Sequence, residues 1–181
     1  MRLAKALAAA GIASRRHCEE FIRQGLVSVN GAVVEREATV VDPGIDTIRF
    51  RGTEIARPEH RYFAVYKPRG VTCSLKDEHA DRLVSELLPA SFGRLFPIGR
   101  LDRDSEGLLI LTNDGDFAQQ VAHPSSQVPK RYIVTCVGQL HGHGLSRMSE
   151  GILHRGERLI AVSAELLETD GSRHVIEIVL K

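Results

Sequence analysis

FPIGRLDRDSEGLLILTNDG, residues 96–115, carries the strongest local signals in the chain. Leu108–Thr112 is an apolar run of strand length, and Asn113-Asp114-Gly115 closes it with residues that favour turns, which marks them as turn chemistry and not catalysis. In front of the strand stand three acids, Asp102, Asp104 and Glu106, with Arg103 between the first two. A carboxylate in a loop just before a buried strand is well placed to be held rigidly at the edge of a cleft. Working outward, RYFAVY (61–66), KRYIVTCV (130–137) and HVIEIVL (174–180) have the texture of strands. DRLVSELL (81–88) and GDFAQQVA (115–122) follow helical patterns between them. Residues 61–181 therefore read as a mixed, mostly antiparallel α+β domain.

The residues upstream have a different character. RLAKALAAAG (2–11) is rich in helix formers and ends on Gly11. Ser14 is placed to cap a second helix, on which Cys18, Phe21 and Ile22 make an apolar stripe that Gly25 terminates. VSVNGAVV (27–34) is a pair of alternating segments joined by Asn30-Gly31, a strong hairpin signal. A further strand over Thr47–Phe50 closes the module, and the polar stretch GTEIARPEH (52–60) reads as a linker. The organisation predicted is a small helix-helix-hairpin domain over residues 1–58 and a larger domain over 61–181.

Composition narrows the classes. The chain has 181 residues, 43% hydrophobic and 26% charged, which argues against disorder, collagen and coiled coils. No apolar run approaches the roughly 20 residues that cross a bilayer. The N-terminal MRLAKALAAAGIASRR continues into a capped, charged helix, unlike a signal peptide, so the expected location is the cytoplasm, with no membrane partner. Three dispersed cysteines, Cys18, Cys73 and Cys136, give neither a disulfide framework nor a zinc ribbon. His141 and His143 form the only close histidine pair, without further ligands at zinc-like spacing. The net charge is only +1, but residues 1–31 carry Arg2, Lys5, Arg15, Arg16 and Arg23 against Glu19 and Glu20. Arg15 can pair with Glu19 across one turn. The cations left over, Arg2, Lys5 and Arg16 beside the helix start at Ser14, suit phosphate, although a solvated helix face has the same composition.

The acids before the strand admit several readings. Asp102 and Asp104 at i and i+2 can be a hard-metal pair, as in a metal-dependent hydrolase, yet residues at that spacing in extended chain point to opposite sides. A glycosidase-like pair needs a separation that sequence does not give. The acids can also cap the following elements or pair with Arg100 and Arg103.

Two resemblances bear on these alternatives. R-L-x-K-x-L-A-x-A-G-x-x-S-R-R followed by I-x-x-G-x-V-x-V-N-G, residues 1 to about 50, resembles the ribosomal-protein S-four RNA-binding domain. YKPRGVTCS (66–74), GRLDRDSEGLLILTNDG (99–115) and HPSSQVPKRYIV (123–134) together resemble pseudouridine synthases of the RsuA type, which modify ribosomal RNA. The blocks stand in the family's order behind its usual RNA-binding companion, and the GLLILTNDG block resembles large-subunit enzymes slightly more.

The resemblance implies a pseudouridine synthase that isomerises a specific uridine in ribosomal RNA, free or in a ribosome assembly intermediate. Such a reaction needs no metal and no small-molecule cofactor. Asp102 is implied as the catalytic carboxylate, acting as nucleophile or as base toward the sugar, and ionised with help from a nearby cation. Arg100 is implied to support RNA around the site a flipped uridine vacates, and Tyr132 to line the pocket against the uracil. Lys67 is expected at a strand end near the cleft, touching RNA backbone. Arg2, Lys5, Ser14, Arg15, Arg16 and Arg23 form the implied RNA-binding set of the first domain.

One departure from the pattern sets a further expectation. Relatives continue past the counterpart of Lys181 into a basic E-G-R-x-x-Q-V block that supplies a cation to the catalytic carboxylate, so the catalytic domain reads as C-terminally truncated. A final strand left unpaired would expose a β edge and apolar surface. The alternative function is accordingly a non-catalytic RNA-binding protein, or an inactive fragment of such an enzyme.

Overall fold

A computed structural model describes residues 1–56, 59–141 and 143–181, and divides into two compact units, Met1–Gln119 and Gln120–Lys181. The first unit opens with helix α1 (Leu3–Ala9) and helix α2 (Arg15–Arg23). Ser14 caps α2, its Oγ accepting the His17 amide at 3.3 Å. Leu3, Leu7, Cys18 and Ile22 are completely buried, so the apolar stripes of both helices meet in one small core with Val27, Val41 and Ile48. Phe21 and Phe50 close its side with ring centroids 5.0 Å apart.

Against the helices lies a four-stranded antiparallel sheet of β1 (Val27–Val29), β2 (Ala32–Val33), β3 (Ile48–Phe50) and β4 (Thr53–Glu54), in the order β2-β1-β3-β4. The turn at Asn30-Gly31 has φ of 52° and 85°, the doubly positive pair that a two-residue hairpin requires. A second turn of the same kind at Arg51-Gly52, with φ of 49° and 81°, joins β3 to β4. The stretch from Gly52 read as a linker therefore begins as sheet, and Ile55 still packs on the core. Its centre, Arg57 and Pro58, lies outside the described residues.

The rest of the first unit is a three-stranded antiparallel sheet of β5 (Tyr62–Lys67), β6 (Phe96–Ile98) and β7 (Gly107–Thr112), with β7 in the middle. Leu109 and Leu111 of β7 are buried with Val71, Val84 and Leu95, and Phe63 and Val65 of β5 pack on the same cluster. The helix expected over 81–88 is only a single 3₁₀ turn, Val84–Leu87. Val84 bonds from its amide to the Thr72 carbonyl at 2.9 Å, so the segment is fastened to a neighbouring strand-like stretch and does not propagate.

Asn113 and Asp114 do more than turn the chain. Asn113 Oδ1 accepts the Arg61 amide at 2.8 Å, and its Nδ2 donates to the Glu59 carbonyl at 2.8 Å. Asp114 Oδ1 accepts the Asp116 and Phe117 amides at the start of helix α3 (Gly115–Ala122), while its Oδ2 accepts the Tyr62 hydroxyl at 2.7 Å and lies 3.0 Å from His60 Nδ1. Burial alone would raise this carboxyl; the Phe117 amide, Tyr62 hydroxyl, Asp116 amide and His60 outweigh it and hold it below the usual aspartate value. Because the folded value lies below the unfolded one, the stabilisation is complete above the unfolded value near pH 4 and fades as pH falls through the lower, folded value. Asp114→Ala is expected to cost about 1–2 kcal/mol at neutral pH, on the scale of a lost cap. The deficit should shrink in urea melts run at progressively lower pH below about 4.

In the second unit, β8 (Lys130–Val137) is followed by α4 (Gly144–Glu150), the hairpin β9 (Ile152–His154) and β10 (Glu157–Leu159), then β11 (Ser163–Thr169) and β12 (Arg173–Leu180). The β9–β10 turn, Arg155-Gly156, repeats the doubly positive φ pair at 50° and 85°. The last strand is not an edge: β12 lies between β11 and β8 and pairs antiparallel with both, so the edges of this sheet are β8 and β11. Apolar surface does remain, with Val137 at 84% and Ile133 at 59% exposure. His174 is buried and joins three segments, its Nδ1 2.8 Å from Thr169 Oγ1 and its Nε2 2.9 Å from the Gly138 carbonyl. His143 immediately precedes α4, and Gly142 of the LHGHGL segment lies outside the described residues. Every pairing between named strands is antiparallel, and the fold is α+β. No described helix is long and apolar enough to cross a membrane.

Candidate active-site loop

The loop 99–106 connects β6 to β7. Asp102 heads a tight turn in which the Ser105 amide donates to the Asp102 carbonyl at 3.1 Å. The backbone around it is gripped at alternate residues. The Leu101 amide donates to Cys73 Sγ at 3.4 Å, the Arg103 carbonyl accepts the Gly70 amide at 2.8 Å, and Lys67 Nζ donates to the carbonyls of Arg103 at 3.3 Å and Ser105 at 2.7 Å. The side chains of Asp102, Asp104 and Glu106 are left exposed. Segment 66–74 thus acts as a bracket for the loop that bears the acids.

The three acids part company here. Glu106 is occupied: it lies 3.4 Å from Arg69 Nη2, and its carboxylate beside the Tyr66 hydroxyl holds that phenol above its ordinary value. Arg103 turns away to Asp81 at 2.7 Å and does not supply Asp102 with a cation. Neither Asp102 nor Asp104 forms an ion pair among the described residues. Around this pair no described cluster of three or more His, Cys, Asp or Glu side chains gathers. Asp102 is thus an exposed, unengaged carboxylate on a fastened turn, with exposed Arg100 two residues before it.

Lys67 ends β5 beside the loop, at the strand end expected of it, but its side chain does not reach the surface as a contact to RNA backbone requires. Its side chain is completely buried, and its three ammonium hydrogens are matched by three carbonyls, those of Arg103, Ser105 and, at 3.1 Å, Pro68. A group enclosed in this way does not touch RNA backbone. The signal for this was present in the strand: Phe63, Val65 and Lys67 fall on one side of β5, and that side is the core. Tyr132 belongs to the second unit, half-buried on β8 opposite Ile178 of β12.

The cations of the first module are likewise sorted by their partners. Lys5 bonds to Asp116 and so does not stand unpaired as expected, and Arg23 lies 2.8 Å from Glu37. The pairing of Arg15 with Glu19 does not occur among the described ion pairs, and Arg2, Arg15 and Arg16 are exposed around the start of the two helices. Ser14 is spent on the α2 cap. Gly70 and Cys73 belong to the YKPRGVTCS block, but that they and Asp81 support this loop had no local sequence signal, because each acts across more than 20 residues.

Residues 61–164 match the family described as RNA pseudouridylate synthase, and residues 1–44 match the S4 domain. The chain is 40% identical over 169 residues to ribosomal large subunit pseudouridine synthase B of Bacillus subtilis (strain 168), covering 93% of this chain and 69% of the relative. A provisionally named chloroplastic ribosomal large subunit pseudouridine synthase of Arabidopsis thaliana is 43% identical over 179 residues, covering 92% of this chain and 44% of the relative. The chain therefore spans less than half of one of these relatives and about two thirds of the other. A crystal structure of a pseudouridylate synthase superposes with a TM-score of 0.59 at 29% identity, over 98% of this chain and 76% of that one. With the family match running across the loop of Asp102 and the strand of Tyr132, this chain belongs to the RNA pseudouridylate synthase family.

Proposed function

We propose that this chain is a pseudouridine synthase acting on a uridine of large-subunit ribosomal RNA, free or in an assembly intermediate, in the cytoplasm. Residues 1–58 serve as its RNA-binding domain and residues 61–181 as its catalytic domain. The observation that carries this reading is Asp102: exposed, free of ion pairs among the described residues and seated on a turn held from behind. A carboxylate so placed can approach a ribose from solvent without first breaking an internal bond.

The chemistry asks for little more. The bond from C1′ to N1 of uracil breaks, the base turns, C1′ joins C5, the proton on C5 is lost and N1 gains one. The isomerisation balances without an electron acceptor. Asp102 acts on the sugar or as base, and the uridine reaches it only after leaving its stack, at a cost of a few kcal/mol. Arg100 supports the RNA left behind and Tyr132 faces the uracil. Arg2, Arg15 and Arg16 hold phosphates, which supply affinity without sequence choice.

The test is to incubate the chain with large-subunit ribosomal RNA transcripts and map pseudouridine by carbodiimide adducts that stop reverse transcription. A stop at one position, undiminished by EDTA, is the expected result. Salt-sensitive RNA binding with no new stop would instead identify an RNA-binding protein without catalysis.

A further inference from the structure

Lys67 spends a buried positive charge on carbonyl oxygens alone. Its side chain has no exposed surface, and no carboxylate pairs with it among the described residues. Enclosing an ammonium is costly unless every hydrogen finds an acceptor. Here all three do, at 2.7, 3.1 and 3.3 Å. If the position needed only packing, an apolar side chain of the same length on the core side of β5 would serve without that cost. What the ammonium adds is a grip, and two of its three acceptors, the carbonyls of Arg103 and Ser105, lie in the turn that Asp102 heads.

We propose that Lys67 is a positioning residue for the reaction: its ammonium clamps the turn 102–105 from inside and so fixes where the Asp102 carboxylate stands, without contacting RNA. The inference rests on the catalytic reading of Asp102. The clamp works with its neighbours, since the Gly70 amide shares the Arg103 carbonyl and Cys73 Sγ holds the Leu101 amide. Gripping residues 101, 103 and 105 from the 66–74 side leaves the acid at 102 exposed to solvent. A displacement of about 1 Å in a reacting group costs on the order of 100-fold in rate. Loosening the turn therefore acts on turnover and leaves binding of the RNA untouched.

Lys67→Met tests this by keeping the stem and removing the hydrogens. The expected result is a kcat lower by about 30- to 100-fold, with KM and RNA affinity within about twofold. The salt dependence of RNA binding stays the same, and deuterium uptake over residues 101–106 becomes faster. A salt slope reduced by roughly one phosphate contact would place Lys67 on RNA and overturn the proposal. So would an unchanged kcat in a folded variant, or unchanged deuterium uptake. Lys67→Arg, whose planar fork does not reproduce three converging bonds, is expected to restore charge and not kcat. If both variants fail to fold, the unmodified chain decides. A slowly exchanging Lys67 ammonium signal in 15N spectra at neutral pH is required, and its absence would refute the clamp. If the unmodified chain makes no pseudouridine, the functional reading fails, while the deuterium uptake and the ammonium signal still judge the clamp by themselves.

Discussion

Asp102→Asn is expected to lower pseudouridine formation by at least about 10⁴-fold, the scale on which removing a nucleophile or base from a catalytic group is felt. That factor corresponds to about 5 kcal/mol of transition-state stabilisation. The substitution is nearly isosteric, and the side chain it alters is exposed and makes no ion pair among the described residues, so no native contact is lost. Stability should stay within about 0.5 kcal/mol of the unmodified protein, as for a surface change. RNA affinity should be held or slightly improved, because one negative charge leaves a surface that meets phosphate. Single-turnover assays on a ribosomal RNA transcript, run beside filter binding and a thermal melt, separate the three quantities. Persistent conversion by the variant would show that another group does the chemistry.

Ile22→Ala carries the largest expected effect on folding. Ile22 is completely buried where the apolar faces of α1 and α2 meet, among Leu3, Leu7, Cys18 and Val27. Truncating such a side chain removes transfer free energy and leaves a cavity, together about 3 kcal/mol. A module of this size buries too little surface to absorb that loss easily. The expected outcome is an early unfolding step in urea and a fall in RNA affinity of tenfold or more, since Arg15 and Arg16 ride on the same helix. Leu108→Ala, at a site 72% exposed on β7, is the control and should change stability by no more than about 0.5 kcal/mol. A cost below about 1 kcal/mol for Ile22→Ala would mean that the first module does not rest on this core.

The elements legible in the sequence are those whose signal is local. The Ser14 cap, the Asn30-Gly31 hairpin and the run Leu108–Thr112 followed by a helix at Gly115 all appear where the pattern puts them. The hairpins at Arg51-Gly52 and Arg155-Gly156 were harder to see, because arginine has no special tolerance for positive φ and only the following glycine hints at the turn. The 3₁₀ turn at Val84–Leu87 defeats a helical pattern through a bond to Thr72, which no window of neighbouring residues contains. At the candidate site, Asp102 and Arg100 come from one contiguous motif, so their place on one exposed loop was legible. The fate of Lys67 was decided by strand parity, which outweighs the usual preference of lysine for the surface. Lys5 and Arg23 found acids at Asp116 and Glu37, so charge counting alone overstated the free cations.

Strand β7 sits between β5 and β6, with Lys67 opposite Gly107 and Ile98 opposite Ile110. The acid-bearing loop enters it at one end and Asp114 leaves it at the other. Slippage by a single residue would turn Leu109 and Leu111 toward water and drag the loop along by about 3.4 Å, one strand residue. On the proposed function, misregistered chains are thereby both unstable and catalytically mute, since the same hydrophobic alternation that rejects wrong folds also sets where the loop carboxylate stands.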